Sequence, residues 1–149
     1  MNKLFIYYSF TGNGDEVANV LSNKGYEIRK VIEKNKMPKS FFFGVLAGGF
    51  RAGIKQKAKL IDYNNDVSSF DEIVIGSPIW NGRLTPAINT VISKTYLENK
   101  KLTFVFYSGS GEGQKALNTI NKLFENANVV FLKEPKKYNE ELNKLNTLE

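Results

Sequence analysis

Short apolar runs alternate with helical patterns along this chain, and this alternation restricts its fold more than any other feature of the sequence. The runs typical of β-strands cover Lys3–Tyr8, Tyr26–Ile32, Phe70–Gly76, Leu102–Tyr107 and Val129–Leu132. Alternation of this kind favours parallel βαβ units, and right-handed crossovers around one switch point give the strand order 2-1-3-4-5. We therefore expect an α/β fold, a doubly wound three-layer sandwich around a five-stranded parallel sheet.

Apolar residues at helical spacing predict helices between these runs and after the last one. The predicted helices cover Asn13–Asn23, a segment from Pro38 to Ile61, Pro86 to about Tyr96, Gln114–Asn126 and Tyr138–Leu148. The segment after Pro38 is weakened by its glycines, since each costs about 1 kcal/mol relative to alanine in a helix interior. Because 149 residues suit one domain, we expect residues 1–149 to fold as a single unit.

Composition excludes several kinds of site. The chain has no cysteine and no histidine, so it lacks a thiolate nucleophile, an imidazole base and the commonest zinc ligands. We assign no catalytic residue, and a bound cofactor is the simplest source of reactivity. The longest apolar stretch, Phe41–Phe50, is shorter than the ~20 residues that span a bilayer, and the strand-like N-terminus lacks a secretory signal. We expect a cytoplasmic protein without a membrane segment.

A phosphate-binding loop is indicated where the first apolar run ends. Hydroxyl groups, an amide and two glycines follow the strand directly, in the stretch Ser9, Phe10, Thr11, Gly12, Asn13 and Gly14. Glycines let the backbone approach a ligand, and the N–H groups that open the next helix are unpaired and partly positive. Such a loop can bind a phosphate through uncharged donors, although the same residues also occur as simple helix caps.

Two further polar loops follow later apolar runs. They are Ser77-Pro-Ile-Trp-Asn-Gly82 and Ser108-Gly-Ser-Gly-Glu-Gly113. In an open α/β sheet, ligands bind beyond the carboxyl ends of the parallel strands, so loops that follow several strands converge there. The sequence therefore predicts that all three loops form one site.

The first loop excludes several common ligands of doubly wound folds. It lacks the Gly-x-Gly-x-x-Gly pattern of dinucleotide-binding proteins, and the chain has no Gly-x-x-x-x-Gly-Lys-Ser/Thr sequence for a nucleoside triphosphate. A phospho-acceptor receiver would need an aspartate where this chain has Tyr8 and Ser9. A mononucleotide fits best.

Three motifs together resemble the flavodoxin family in its short-chain form, in order and spacing over nearly the whole chain. They are Ser9-x-Thr11-Gly12-Asn13, Pro78-Ile-Trp-Asn-Gly82 and Tyr107-Ser-Gly-Ser-Gly111. The resemblance implies FMN as cofactor, with its phosphate bound by residues Ser9 to Gly14. It further implies that two loops flank the isoalloxazine ring, through Pro78, Ile79, Trp80, Asn81, Gly82, Ser108, Gly109, Ser110 and Gly111.

Individual residues of the second loop suit contact with a flavin. Trp80 is the only tryptophan, and an indole can stack on an aromatic ring, although Trp80 could instead anchor the loop on the core. Asn81 and Gly82 tolerate positive φ, so their peptide can reorient toward the flavin as its protonation changes. The chain also departs from the family pattern. Gly14 replaces a hydroxyl residue, and the third loop has no aromatic residue after Ser108. The net charge is +6, whereas the proteins of the family are usually acidic around the flavin.

The positive charge is concentrated in one segment. Residues Lys34 to Lys59 contain seven basic side chains and no acid, and Arg51, Lys55 and Lys59 are spaced four residues apart. This spacing predicts a docking surface for an acidic redox partner or for the phosphates of a nicotinamide nucleotide, unless it is simply a solvated helix face. Nucleic acid is a weaker interpretation, because the nearby Phe41–Phe43 cluster is more typical of packing or a lid.

Three functions remain open at this point. The first is an FMN-binding protein that carries electrons between a reductase and an acceptor. The second is an FMN-dependent NAD(P)H oxidoreductase acting on quinone-like acceptors, and the third is a flavodoxin-fold binding module without cofactor. Turnover of a nicotinamide nucleotide by the purified chain would separate the second from the first, and a failure to bind FMN would indicate the third.

Overall fold

A computed structural model describes residues 1–35 and 57–148 of the chain. These ranges contain six strands: β1 (Lys3–Tyr7), β2 (Glu27–Lys30), β3 (Glu72–Trp80), β4 (Arg83–Leu84), β5 (Lys101–Ser108) and β6 (Asn128–Lys133). Their helices are α1 (Asn13–Asn23), α2 (Pro86–Lys94), α3 (Gln114–Leu123) and a 3₁₀ helix, Asn139–Thr147.

Five of the strands form a parallel sheet in the order β2-β1-β3-β5-β6. The register pairs Tyr7 with Gly76 and Pro78 with Tyr107, so β1, β3 and β5 end close together at one edge of the sheet. The predicted parallel α/β sheet is therefore confirmed. The sheet also has a sixth strand that the sequence did not predict, because β4 pairs antiparallel with β3.

Strand β3 runs further than its apolar pattern predicts. The sequence places a loop from Ser77 onward, whereas β3 continues to Trp80 and turns back into β4. Pro78 is tolerated there because its missing N–H points to the side of the strand facing β1. Gly76 is the last residue of β3 with a partner in β1, so Pro78 removes no bond from the sheet.

Helices cover both faces of the sheet, as the three-layer expectation requires. Neighbouring residues of a strand point to opposite faces, so Phe5 packs toward α1 and the 3₁₀ helix while Ile6 packs toward α2 and α3. Ile75 and Phe104 in the central strands are fully buried. Burial on both faces explains why the central strands have nearly continuous apolar sequences.

The helix predicted from Pro38 to Ile61 lies largely outside the described residues. Its last part is described and is not helical: Leu60 forms a β-bridge with Glu33, and the N–H of Ile61 donates to the carbonyl of Ile32. The helices that begin at Pro86 and Gln114 end two or three residues before their predicted ends, at Lys94 and Leu123. The final helix has 3₁₀ geometry.

Candidate functional site

The three loops predicted to form one site lie at the same edge of the sheet, and hydrogen bonds join the residues that flank them. The Tyr8 N–H donates to the carbonyl of Gly76 at 3.1 Å, and the Tyr107 hydroxyl donates to the carbonyl of Tyr8. The N–H of Ala116 at the start of α3 donates to the carbonyl of Gly82 at 2.8 Å. These bonds connect the loop before α1, the β3–β4 hairpin and the start of α3.

The first loop is organised around the hydroxyl of Ser9. Its Oγ accepts hydrogen bonds from the N–H groups of Gly12 and Gly14, at 3.2 and 3.1 Å. Gly12 precedes α1 and has φ 97°, a left-handed conformation that favours glycine. The loop thus places backbone N–H groups and hydroxyls at the positive end of a helix dipole, with Ser9 Oγ as the acceptor of the Gly12 and Gly14 N–H groups in this conformation.

Gly14 is buried, and the surrounding atoms leave no room for a side chain. A Cβ atom added there would lie 2.5 Å from the Tyr107 hydroxyl, 2.7 Å from the Tyr7 ring and 2.9 Å from the Ser9 Cβ. This crowding explains why a hydroxyl residue is absent at this position. The tight packing brings the first turn of α1 against β5.

A lysine that the sequence did not single out lies beside this loop. Lys136 donates its backbone N–H to the Asn13 Oδ1 at 3.1 Å, and its Nζ lies 3.4 Å from the carbonyl oxygen of Thr11. A Cβ atom added at Gly12 would lie 3.1 Å from the same Nζ. Since 125 residues separate Lys136 from Thr11, no local motif could have identified it. The ammonium group of Lys136 therefore places a positive charge next to the loop.

The first-turn carboxylate Asp15, which would repel a phosphate, is itself paired. Its Oδ1 accepts hydrogen bonds from the Tyr7 hydroxyl and the Lys30 Nζ, each at 2.7 Å. Burial raises the pKa of Asp15, but these bonds and the nearby charges of Lys30 and Lys136 outweigh it and hold the pKa below its ordinary value. Burial, together with the Asp15 carboxylate, raises the pKa of Tyr7, so its hydroxyl stays protonated.

The β3–β4 hairpin forms the second loop. Asn81 and Gly82 have φ values of 50° and 74°, so both are left-handed, as a two-residue turn of type I′ requires. Trp80 is only 2% exposed, and its ring lies edge-on to Tyr8 and Phe10, with centroids 6.2 and 6.0 Å apart. In this conformation the indole anchors the hairpin on the core; its contact with a flavin stays a prediction.

The third loop is held by its own hydroxyl group. Ser108 Oγ accepts from the N–H groups of Gly111 and Glu112, at 2.9 and 3.0 Å, and donates to the Glu112 carbonyl. Gly109 and Ser110 are exposed at the tip, and Gly111 has φ 78°. The loop therefore keeps a defined shape at the rim of the site.

The predicted docking surface falls mostly outside the described residues. This holds for Arg51, Lys55 and Phe41–Phe43, whereas Lys59 is described and exposed. Within residues 1–35 and 57–148, no group of three or more acidic side chains is placed to hold a metal ion. None of the helices in these same ranges is long and apolar enough to cross a bilayer.

Three solved structures share this architecture. A candidate flavoprotein from Bacteroides eggerthii superimposes with a TM-score of 0.76 at 16% identity, over 99% of this chain and 97% of that one. One from Bacteroides uniformis gives 0.72 at 19% identity, over 86% of each chain. A flavoprotein from Lactobacillus acidophilus, solved in complex with FMN, gives 0.69 at 19% identity, over 93% of this chain and 97% of that one.

No family model matches the sequence, and no curated protein matches it. At identities below 20%, the solved structures establish a common fold. Whether the chemistry is also shared depends on the residues at the edge described above.

Proposed function

We propose that this protein is a flavodoxin-like FMN-binding protein that carries electrons between a reductase and an acceptor. The observation that carries the proposal is the loop Ser9–Gly14, where backbone N–H groups, hydroxyls and the Lys136 ammonium surround the start of α1. A protein of the same fold was solved in complex with FMN. The conclusion about this chain rests on its own loop.

The donor set fits the phosphate of FMN. Ser9 and Thr11 supply hydroxyls, and the Gly12 and Gly14 N–H groups now bonded to Ser9 Oγ lie within the same loop. Lys136 adds a charge-assisted donor, while Asp15 is neutralised by Lys30. Uncharged donors, one cation and a paired carboxylate make an environment that stabilises a dianion.

The other two loops supply groups suited to the ring system. FMN supplies the redox chemistry when bound, and the chain supplies binding, orientation and electrostatics. The Asn81–Gly82 peptide lies at the tip of the hairpin, where both residues already have positive φ and can rotate without the usual steric cost. The exposed tip of the third loop, Gly109 and Ser110, offers backbone N–H groups to the ring.

Electron transfer between proteins fits this chain better than reduction of a quinone by NAD(P)H on the protein alone. It has no histidine or cysteine to act as an acid, base or nucleophile. Its basic residues suit an acidic partner, and we propose that Arg51, Lys55 and Lys59 contribute to that docking surface. Charge reversal at these three positions should slow reduction by an acidic reductase at low salt and have little effect at high salt.

A spectrum and a titration test the proposal. The purified chain should quench the fluorescence of added FMN with one-to-one stoichiometry and bind riboflavin more weakly, because riboflavin lacks the phosphate. Loaded protein should accept electrons from an added reductase but should not consume NADH or NADPH with a quinone. Unquenched FMN would overturn the proposed cofactor, whereas steady quinone reduction by the chain alone would replace the carrier with the oxidoreductase.

A further inference from the structure

A second concave region lies away from the three loops, between α2, α3 and the short strand β4. Its cavity is about 790 Å³, within the roughly 300–1,000 Å³ typical of small-molecule sites. One wall is the face of α3 formed by Lys115, Thr119 and Lys122, which share a side because they are spaced four and three residues apart. Ile92 and Ser93 of α2 form the facing wall.

Among the described residues that line this cavity are four cations and no acid. The cations are Lys57, Arg83, Lys115 and Lys122. Among the residues with described positions, none of the four has an acid within ion-pair distance. The intervening residues 36–56 contain no aspartate or glutamate in their sequence. Like charges that converge on a concave surface repel each other, so this groove has a positive potential that an anion would relieve.

Arg83 is the one half-buried cation among the four that line the groove. Its Nε is buried and has no hydrogen-bond acceptor among the described residues. Arg83 is paired with Trp80 in the β3–β4 hairpin, so its backbone is fixed at one end of the groove. Since Nε is shielded from solvent, an anion in the groove would meet the accessible part of the Arg83 side chain.

The groove also has an apolar part at its other end. Leu123, at the end of α3, is 57% exposed although it is a large hydrophobic residue. Phe124 is half-buried beside it, with its ring stacked on Phe104 at 5.6 Å between centroids. Exposed apolar surface next to several cations suits a ligand that has a flat organic part and a charged part.

We propose that this groove binds a nucleoside diphosphate. The phosphates lie among Arg83, Lys115 and Lys122, and the base lies against the apolar surface of Leu123 and Phe124. A small ligand is favoured over an acidic protein surface because the cations line a concavity rather than a flat patch. The site is distinct from the loop before α1, so the inference does not depend on FMN binding.

Titration with ADP tests this inference, in the presence of excess FMN so that the loop before α1 is saturated if it binds flavin. We expect saturable binding of ADP by calorimetry, weaker at high salt, and no comparable binding of adenosine. The double substitution Lys115→Gln and Lys122→Gln should weaken ADP binding at least about tenfold, since it removes two charge-assisted contacts. The matched double variant Lys94→Gln and Lys137→Gln loses the same charge outside the groove and should bind ADP normally.

Three results would overturn the groove as a diphosphate site. One is equal loss of ADP affinity in both double variants, which would indicate a general charge effect. Another is adenosine binding as tightly as ADP. The third is loss of ADP binding in Lys136→Gln with no change in the groove variant, which would place ADP at the loop before α1. The first two results do not bear on FMN, whose binding is measured separately by quenching, whereas the third would also mean that FMN does not saturate the loop before α1.

Discussion

Gly14 illustrates how one missing Cβ atom shapes the loop before α1. The sequence suggests that a glycine here costs the loop a hydroxyl donor, but the surrounding atoms leave no room for one. The Tyr107 hydroxyl, which occupies part of that space, also donates to the carbonyl of Tyr8. Packing between β5 and α1 therefore determines the residue type at this position.

The substitution Gly14→Ser should destabilise the protein rather than improve phosphate binding. Its Cβ would overlap Tyr107, Tyr7 and Ser9, and overpacking of this kind costs about 1–3 kcal/mol. Chemical denaturation measures the loss. Gly109→Ser is the matched control, because a Cβ there meets nothing within 4 Å. Equal stability of the two variants would show that the loop relaxes easily around Gly14.

Lys136 should contribute to FMN binding through the phosphate alone. Replacing it by glutamine should weaken FMN binding by about three- to thirtyfold, since a charge-assisted contact to a partly exposed phosphate is lost, and leave riboflavin binding unchanged. Fluorescence titration with both flavins measures the difference. Lys137→Gln is the control, because the Lys137 ammonium lies over the Tyr138 ring, 5.1 Å from its centroid. An equal effect on both flavins would assign Lys136 a structural role.

At the scale of elements, helix α1 is predicted with its observed bounds, whereas β3 is not. Helix α1 has clear local signals, since Gly12 precedes it and Val17 and Leu21 mark its buried face. Pro78 near the end of β3 and the Asn81–Gly82 pair that follows β3 are typical of a loop in sequence. They lie in a hairpin because β4 pairs with the end of β3. Since β4 has only two residues, it is too short to show a pattern of apolar residues that would predict a strand.

The hairpin turn depends on its two left-handed residues. Gly82→Ala should destabilise the protein by about 1–2 kcal/mol, because Gly82 has φ 74° and a side chain there disfavours this conformation. The cost comes from the backbone, since the added Cβ would stay 3.7 Å from the nearest atom of Lys115. Denaturant unfolding measures it, with Gly109→Ala as a control outside the left-handed region. A variant as stable as the control would mean that the turn adopts another conformation at no cost.

At the scale of the whole molecule, the alternation of strands and helices predicts the parallel sheet but not what gathers around its edge. Lys136 reaches the loop before α1 only because β6 lies beside β5 and the chain then turns back across the sheet edge. The groove cations come from α3, from β4 and from the chain before β3. Such convergence depends on the assembled layers, so no single stretch of sequence contains it.

The hydrophobic cores on the two faces of the sheet share its strands, so we expect the whole protein to unfold in one cooperative transition. Leu21 in α1 and Ile120 in α3 are fully buried on opposite faces. Leu21→Ala and Ile120→Ala should each cost about 2–5 kcal/mol and still give one transition. Because the sheet separates the sites, the double variant should lose nearly the sum of the two costs.

Fluorescence of Trp80, in the core beneath α2 and α3, and circular dichroism should report the same midpoint. If Trp80 instead unfolded at a lower denaturant concentration than the helices, the two faces would be independent cooperative units and the shared sheet would not couple them.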